Sequence, residues 1–410
     1  MKTMHTLIIG GGQAGLATSY YLKKHKIEHV LLEKAKQAGH AWQNERWDSF
    51  TLLTPNWSIQ LPGAEYQGKD PDGFLSREEI VAYLRGYVEK INAPVQFDTQ
   101  VDLVESLGEA KGYMVQTSQG AFEVKNVVIA TGMFQNPKIP TYAQTISSKI
   151  TQLHSGQYRN PGTLPSGAVL VVGSAQSGCQ IAEELYQSGR KVYLCVGSAG
   201  RAPRRYRGKD VFGWLLQLGF FDRTVDKLPS PKAKFAGNPH LSGKAGGHTI
   251  NLHQFVRDGV QLLGKISGAQ GDVVYLAGDL KESLMKSDKF EADLIKMIDA
   301  YIEKNGLDIP TETIPELKDG YSVEEIRELN LIEKGITSII WAQGYNFDFS
   351  MIKLPVTDGD GYPIQQRGVT EHPGLYFVGM PWLSKYKSGL MVGVGEDAEH
   401  VAAHIASNRK

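Results

Sequence analysis

The same strand, turn and helix pattern occurs twice in this chain, and this repeat constrains the fold more than any other feature. An apolar strand pattern over Leu7–Ile9 leads through a glycine turn into a helix pattern over Gln13–Lys24. The second copy starts with Ala168–Val172 and continues into a helix pattern over Cys179–Ser188. A strand that passes through a glycine turn into a helix begins a βαβ unit of a parallel sheet. The sequence therefore predicts an α/β chain with two Rossmann-like three-layer dinucleotide-binding domains.

The first glycine turn has the spacing that binds a dinucleotide. It fits G-x-G-x-x-G between a strand and a helix, where backbone amides and the positive end of the helix accept a pyrophosphate. A carboxylate ends the next strand about 20 residues later, where it binds the hydroxyl groups of an adenosine ribose. The alternative is that these glycines are needed only to form the turn and bind no dinucleotide. The residues predicted to bind this dinucleotide are Gly10, Gly12, Gln13, Ala14, Gly15, Glu33 and Lys34.

The second glycine turn, G-S-A-Q-S-G, has alanine in place of the middle glycine. The strand after it ends without an acidic residue, and a serine and several arginines follow. An adenosine 2′-phosphate requires such partners, so the pattern favours NADPH over NADH. The alternative is that these arginines form a solvent-exposed basic loop that binds no phosphate. The predicted contacts are Gly173, Ser174, Ala175, Gln176, Ser177, Gly178, Ser198, Arg201, Arg204 and Arg205.

The chain length favours two domains, because 410 residues exceed what one hydrophobic core usually supports. We assign residues 1–150 and 331–410 to the first domain. Residues 151–330 form the second domain, with an insertion at about 205–320. The less regular periodicity of this insertion distinguishes it from the strand and helix patterns on either side.

Charge and cysteine content exclude several classes of protein. The 44 Lys and Arg residues equal the 44 Asp and Glu residues, so no net field attracts nucleic acid or an anionic membrane. Cys179 and Cys195 form no CxxC pair and suit a reducing compartment, so we expect a cytoplasmic protein. No apolar run reaches the roughly 20 residues of a membrane span, and the N-terminus enters a strand without a signal sequence. His400 and His404 lack a third ligand, so we expect no metal.

Seven short motifs are distributed over nearly the whole chain. They are GGGQAG (10–15), WQNERWD (42–48), ATG (130–132), HSGQY (154–158), GSAQSG (173–178), WAQGYNFDF (341–349) and GLYFVG (374–379). By these motifs the chain resembles the class B flavoprotein monooxygenases, the group that contains flavin-containing monooxygenases and plant YUCCA enzymes. Two dinucleotide folds suit this group, because a bound flavin is reduced by the nicotinamide held opposite it.

The resemblance implies FAD at the first turn and NADPH at the second. It places Trp42 and Arg46 along the flavin, the backbone of Val101 at the adenine, and Gly379 near the flavin ring. The implied crossover between the two domains consists of Ala130, Thr131 and Gly132.

The implied reaction is a monooxygenation. NADPH reduces FAD, O2 adds at the flavin C4a, and the resulting (hydro)peroxide delivers one oxygen atom to a nucleophilic nitrogen or sulfur of a small molecule. Asn56 lies in LLTPNWSIQLPG (52–63), which resembles the loop where oxygen and substrate meet the flavin, and its amide is a candidate to hydrogen-bond the peroxide. A turn-forming Pro-Asn pair is the alternative. Gln343 is the second catalytic candidate, because it stands in the second hinge where threonine is usual.

Departures from the group's fingerprint keep other functions open. Ser148 and Ile150 fall where the fingerprint has phenylalanine and glycine, and Tyr158 in place of tryptophan speaks against a Baeyer–Villiger enzyme. An NADPH-dependent reductase or oxidase without oxygen insertion is the main alternative, and a non-enzymatic flavin-binding sensor is the third. The absence of CxxC disfavours a disulfide reductase. A homodimer is a candidate assembly.

Overall fold

Two mainly parallel sheets with helices on their faces form the fold, and the computed structural model describes residues 1–108 and 111–409. The strands are β1 (Lys2–Ile9), β2 (His29–Leu32), β3 (Val95–Gln96), β4 (Val101–Ser106), β5 (Tyr113–Thr117), β6 (Gly120–Ile129), β7 (Asn136–Pro137), β8 (Thr151–His154), β9 (Ala168–Val172), β10 (Val192–Cys195), β11 (Arg205–Tyr206), β12 (Lys209–Asp210), β13 (Leu241–Ser242), β14 (His248–Thr249), β15 (Gln261–Leu263), β16 (Ile266–Gln270), β17 (Val273–Leu276), β18 (Glu328–Asn330), β19 (Ile336–Trp341), β20 (Tyr345–Asn346) and β21 (Leu375–Phe377). The helices are α1 (Gln13–Lys24), α2 (His40–Asn44), α3 (Arg77–Lys90), α4 (Gln176–Gln187), α5 (Val211–Gln217), α6 (Leu252–Arg257), α7 (Leu280–Lys304) and α8 (Val394–Ser407). The predicted α/β fold with two Rossmann-like three-layer domains is confirmed.

The first sheet carries the first glycine turn at the end of its central strand. The strand order is β3-β2-β1-β6-β5-β4, and β21 also pairs with β6. Because β1 is parallel to β2 and to β6, the turn after β1 lies at the carboxyl edge of the parallel part. Leu16 of α1, Leu84 of α3 and Val401 of α8 belong to the core on one face of the sheet. Phe349 and Ile352 pack on the other face.

The second sheet is parallel throughout and has the order β15-β10-β9-β19-β8. Helix α4 packs on one face, and the small sheet β16-β17-β18 packs on the other. The predicted return to the first domain at residue 331 is wrong, because Ile336–Trp341 pairs with β8 and β9. Both sheets bury apolar parallel strands, so the composition of a strand does not say which sheet it joins. The chain returns to the first sheet only after Trp341.

The predicted insertion at about 205–320 is interrupted by β15, which extends the second sheet beside β10. The additional structure therefore consists of two pieces, with β11 to β14 and α5 before this strand and α7 after it. Trp214 of α5 and Ile298 of α7 meet in one buried cluster, so the two pieces pack against each other. Among the helices of the described residues, including the 25-residue α7, none is both long and apolar enough to cross a membrane.

A two-stranded antiparallel ribbon, β7 with β20, joins the two connections between the sheets. Strand β7 follows β6 of the first sheet, and β20 follows β19 of the second. Gln135 binds both connections, since its Nε2 donates to the Thr131 hydroxyl (2.7 Å) and its Oε1 accepts from the Asp348 backbone N–H. The predicted crossover, Ala130 to Gly132, leads directly into this ribbon.

The β13–β14 hairpin docks on α4 through a histidine and a buried carboxylate. His248 Nε2 lies 2.7 Å from Glu183 Oε1, and Glu183 is buried. The hydrogen bond that His248 donates to the Glu183 carboxylate raises the pKa of His248 above its usual value of 6.5, and burial opposes this effect. The pair is therefore an ion pair whenever His248 is protonated.

Replacing His248 by glutamine should lower the melting temperature more in mild acid than in alkali. Because the pKa of His248 is raised in the folded protein, its stabilising contribution is fully present below about pH 6.5 and is lost as the pH rises through the raised pKa. Melting temperatures of the wild type and of His248→Gln across this range measure the effect, and Glu183→Gln should behave alike. A difference that grows with pH would contradict the assignment.

Candidate functional site

The first glycine turn has the geometry of a dinucleotide cradle. Gly10 has a φ of +110°, and a Cβ there would lie 2.5 Å from the Ala130 carbonyl oxygen. A Cβ at Gly15 would collide with the Gly10 carbonyl oxygen. At Gly12, by contrast, no other atom of the described residues lies within 4 Å of the Cβ position. The packing of the chain therefore requires the first and third glycines, whereas the open space at the second fits a pyrophosphate.

Glu33 lies beside the first turn, directly after β2. Its carboxylate accepts two backbone N–H groups, of which that of Gly11 is at 2.7 Å. The Thr99 backbone N–H donates to the Glu33 carbonyl (3.0 Å), which brings the start of β4, and with it Val101, to the same end of the cradle. This is the end where an adenosine ribose is expected, and Lys34 is exposed beside it.

A C-terminal segment, residues 379–389, reaches the first turn from the far end of the chain. Gly379 has a φ of +86° and packs so closely on α1 that a Cβ would collide with the Ala14 side chain. Gln13 Nε2 donates to the Gly389 carbonyl (2.7 Å). The structure thus brings three predicted cofactor residues together at the N-terminus of α1.

The second glycine turn repeats the geometry of the first. Gly173 has a φ of +108°, and a Cβ there would lie 2.6 Å from the Ala342 carbonyl oxygen. A Cβ at Gly178 would collide with the Gly173 carbonyl oxygen. Ser174 Oγ accepts the Gly197 backbone N–H (2.9 Å), which ties the turn to the segment after β10. The chain therefore contains two cradles of the same design.

The other predicted residues of the second turn differ in their surroundings. Ala175 is the N-cap of α4, and the Gln176 side chain bonds both the N–H and the carbonyl of Leu241 in β13. Ser177 is half-buried. Gln343 is exposed. Its backbone nitrogen would lie 3.8 Å from a Cβ built on Gly173. Gln343 therefore lies at the second cradle, while the Gln176 side chain points to the insertion.

The predicted arginine cluster does not form a free cationic patch. Arg201 is buried and forms ion pairs with two carboxylates of α7, at 2.7 and 2.6 Å. Arg204 is also buried, pairs with Asp210 and donates to the Leu53 carbonyl (2.8 Å). Both guanidinium groups neutralise carboxylates within the protein, so the prediction that they bind a 2′-phosphate is corrected. The sequence shows the basic run but not the pairing, because the partners of Arg201 lie on α7, and the pairing of Arg204 with Asp210, six residues away, depends on the fold.

Two members of the predicted phosphate site remain accessible. Ser198 is exposed, three residues after the end of β10. Arg205 is exposed and donates to the carbonyls of Gly246 (2.8 Å) and Gly247 (3.0 Å). Because both acceptors are neutral, the positive charge of Arg205 is not cancelled by them.

Trp42 and Arg46 belong to an aromatic cluster that the sequence did not predict as a unit. The Arg46 Cζ lies 5.4 Å from the Trp42 ring centroid and 4.9 Å from that of Phe134. The Tyr345 ring packs edge-on against Phe134 (5.3 Å) and His154 (4.7 Å). Its members come from α2 and the segment after it, from the two connections between the sheets and from the end of β8, near the carboxyl ends of parallel strands, where ligands of open α/β sheets bind. Phe134 and Tyr345 lie beside or within the ATG and WAQGYNFDF motifs, which is the signal that could have found them.

Burial sets the protonation of this aromatic cluster. It lowers the pKa of His154, whose Nε2 bonds the Gly344 carbonyl (2.9 Å) and whose Nδ1 accepts the Gly156 N–H (3.2 Å). It also lowers the pKa of Arg46 and raises the pKa of Tyr345. His154 and Tyr345 are thus neutral, and Arg46 carries the one charge among the cluster's described side chains.

Asn56 is buried, and its amide is engaged by the backbone of a neighbouring loop. Its Nδ2 donates to the Asp70 carbonyl (2.9 Å), and its Oδ1 accepts the Leu75 N–H (2.9 Å). The side chain therefore holds residues 52–75 in place. A direct catalytic contact of Asn56 stays a prediction.

Both cysteines are unsuited to thiol exchange. Cys179 and Cys195 are buried, and burial raises the pKa of each thiol well above its usual value. The thiolate is the reactive form, so neither side chain is a nucleophile at neutral pH.

Comparisons with known proteins agree with this geometry. A family model described as pyridine nucleotide-disulphide oxidoreductase matches residues 7–214, just over half of the chain. The chain is 34% identical over 404 residues to an uncharacterized oxidoreductase CzcO-like of Geobacillus kaustophilus, covering 98% of each. It is 28% identical over 216 residues to the probable indole-3-pyruvate monooxygenase YUCCA3 of Arabidopsis thaliana, covering 50% of this chain and 49% of the relative. The solved flavin-containing monooxygenase from Stenotrophomonas maltophilia shares the fold, with a TM-score of 0.67, 19% identity and full coverage of both chains.

Two glycine cradles on two sheets, joined by a crossover ribbon, define a flavoprotein oxidoreductase with two dinucleotide cofactors. The chain belongs to the pyridine nucleotide-disulphide oxidoreductase family. The predicted resemblance to the class B flavoprotein monooxygenases is confirmed. At the level of the family, the prediction of a flavin-dependent oxidoreductase is confirmed, as is the predicted pair of cofactors, FAD and a nicotinamide dinucleotide.

Alanine substitutions in the first turn should separate cofactor binding from folding. Gly12→Ala places its Cβ in open space at a φ of −81°, so the protein should fold normally and bind FAD at least about tenfold more weakly. Gly15→Ala is the matched control, since its Cβ collides with the backbone and should lower the melting temperature. Flavin absorbance per polypeptide and thermal melting measure both effects. Full flavin content in Gly12→Ala would contradict the assignment.

Proposed function

We propose that the protein is an FAD- and NADPH-dependent monooxygenase that inserts one oxygen atom of O2 into a nucleophilic nitrogen or sulfur of a small molecule. The observation that carries the proposal is the pairing of two glycine cradles with an aromatic cluster at the connections between the two sheets. When bound, FAD accepts a hydride from NADPH and, once reduced, supplies the reactivity toward oxygen. The monooxygenase named among the relatives supports the same chemistry.

The first cradle suits FAD. The amides around Gly12 receive the pyrophosphate, and the Glu33 carboxylate exchanges its bond with the Gly11 N–H for the ribose hydroxyl groups. Val101 lies at the adenine end, and Gly379 lies at the N-terminus of α1. The crossover from Ala130 leads from this cradle toward the aromatic cluster. These residues would hold FAD at the first cradle, and its flavin would supply the hydride acceptor of the proposed reaction.

The aromatic cluster lines the proposed reaction cleft. Trp42, Phe134 and Tyr345 present apolar surface, and the Arg46 guanidinium is held between the rings of the first two. Apolar walls exclude water, which favours oxygen transfer to the substrate over release of hydrogen peroxide. Asn56 acts on the cleft by positioning residues 52–75, whereas Gln343 lies at the second cradle, where it is a candidate contact of the nicotinamide coenzyme.

Disulfide reduction, which the family description includes, is disfavoured by the buried thiols. A dithiol exchange needs an attacking and a resolving cysteine, and the two cysteines of this chain are buried with raised pKa values. The remaining alternative is an NADPH-dependent reductase or oxidase that does not insert oxygen. Ser148, Ile150 and Gln343, which depart from the monooxygenase fingerprint, favour this alternative.

Isotope labelling separates the two functions. The flavin-loaded enzyme, given NADPH, 18O2 and a panel of amines, oximes and thioethers, should form a product that carries one 18O atom. Substrate should also stimulate NADPH consumption. Reactions under 16O2 are the control. Stoichiometric hydrogen peroxide without labelled product, for every member of the panel, would establish an oxidase instead.

The second cradle suits NADPH, and its selectivity over NADH depends on the two accessible residues. Ser198 and Arg205 are the proposed partners of the 2′-phosphate. Arg201 and Arg204 are already paired with carboxylates, so we expect a smaller preference than a free cluster of arginines would give.

Replacing Arg205 by alanine should weaken NADPH binding about three- to tenfold and leave NADH binding unchanged, the loss expected for one exposed charge-assisted hydrogen bond. Titration of both coenzymes into the oxidised enzyme measures this. Arg201→Ala is the contrasting variant, because unpairing two carboxylates of α7 should lower the melting temperature. Equal loss of NADPH and NADH affinity in Arg205→Ala would remove Arg205 from the phosphate site.

A further inference from the structure

A buried histidine without a partner lies beside the second cradle. His240 directly precedes β13 and has no exposed surface. Neither of its ring nitrogens has a hydrogen-bond partner among the described residues. The Ser174 backbone lies beside the ring, although not in hydrogen-bond geometry, and Arg201 is also nearby. A polar ring is thus enclosed next to the turn that is expected to bind a coenzyme.

The His240 ring is neutral at neutral pH. Burial and, to a smaller extent, the positive charge of Arg201 lower its pKa to about 3, although the Ser174 backbone opposes both. A neutral imidazole offers one donor and one acceptor. Leaving both unpaired in the interior is costly, so this position is not explained by the stability of the folded chain.

The segment that carries His240, residues 237–242, covers the second turn. A Cβ built on Gly237 would lie 3.5 Å from the Ala175 Cβ and 3.7 Å from the Ala199 Cβ. The Gln176 amide holds the segment through the Leu241 peptide. Ala175 takes the place of the middle glycine, where a pyrophosphate approaches, and Ala199 follows β10, where the adenosine ribose is expected. The segment therefore lies where a dinucleotide in this cradle would meet it.

We propose that His240 is a binding residue of the second cradle, whose imidazole hydrogen-bonds the ribose–phosphate part of the nicotinamide dinucleotide when residues 237–242 move off the turn. The inference rests on the proposed NADPH site and adds a residue to it. Coenzyme entry gives the unpaired ring the partner that the free protein lacks. The two events are coupled, because the segment that blocks the turn also carries the ring.

Replacement of His240 by leucine tests the proposal in the flavin-loaded, oxidised enzyme, with NADP⁺ as the probe. We expect His240→Leu to bind NADP⁺ about tenfold more weakly, the loss of one buried hydrogen bond, while its melting temperature without NADP⁺ equals or exceeds that of the wild type. His240→Asn keeps a donor and an acceptor and should retain part of the affinity. NADP⁺ should also change the hydrogen exchange of residues 237–242 in the wild type.

His253→Leu is the matched control. This histidine is equally buried, but its Nδ1 accepts the Gly320 N–H (2.9 Å) and its Nε2 lies 3.2 Å from Asp288 Oδ2. Its loss should lower the melting temperature and leave NADP⁺ affinity unchanged.

The outcomes separate this inference from the proposed function. Wild-type NADP⁺ affinity in His240→Leu would overturn the inference alone. A lower melting temperature with unchanged affinity, or loss of folding in both His240 variants, would also overturn it, because the ring would then serve the free protein. A wild type that binds neither NADP⁺ nor NADPH would overturn the proposed function together with the inference.

Discussion

Each cradle depends on close contact between its first glycine and a backbone carbonyl. In both cradles this carbonyl belongs to the residue that directly follows the neighbouring strand of the same sheet. The Ala130 carbonyl packs on Gly10, and the Ala342 carbonyl packs on Gly173. Both carbonyls stand at the start of the connections that pair as the β7–β20 ribbon. A side chain at either glycine would push a connection away from its turn. Backbone packing therefore sets the positions of the two cofactor sites relative to each other.

Several charged side chains of the insertion bind it to the first domain. Asp222 accepts bonds from Lys385 (3.0 Å) and Lys387 (2.9 Å), and both lysines also reach Glu396 of α8. Arg204 similarly bonds the Leu53 carbonyl of the first domain. These contacts place the insertion beside residues 379–389, which Gln13 holds at the first cradle. Of the basic residues after β10, Arg201 and Arg204 hold the insertion in place. In our proposal, Arg205 binds the coenzyme phosphate.

Local sequence patterns predicted the elements of the two glycine turns but not how the strands assemble into sheets. The glycine turns, the strands before them and Glu33 lie where the spacing predicts, because each depends on residues close in sequence. The segment from residue 331 was assigned to the first domain, although its strand Ile336–Trp341 pairs with β8 and β9, which are remote in sequence. The three-residue β15 was hidden in the insertion. The catalytic role of Asn56 stays a prediction, and its partners, the backbone of Asp70 and Leu75, became visible only in the fold.

The sequence by itself determined the two cradles, the fold class and the family, because a turn without room for a Cβ admits only glycine at fixed positions. Only the tertiary structure decided which polar side chains are paired within the protein and which remain available to a ligand. Arg201 meets α7, Gln176 meets Leu241, and His240 is enclosed without a partner beside Ser174. Burial and pairing are properties of surfaces that meet from distant parts of the chain, so no local pattern encodes them.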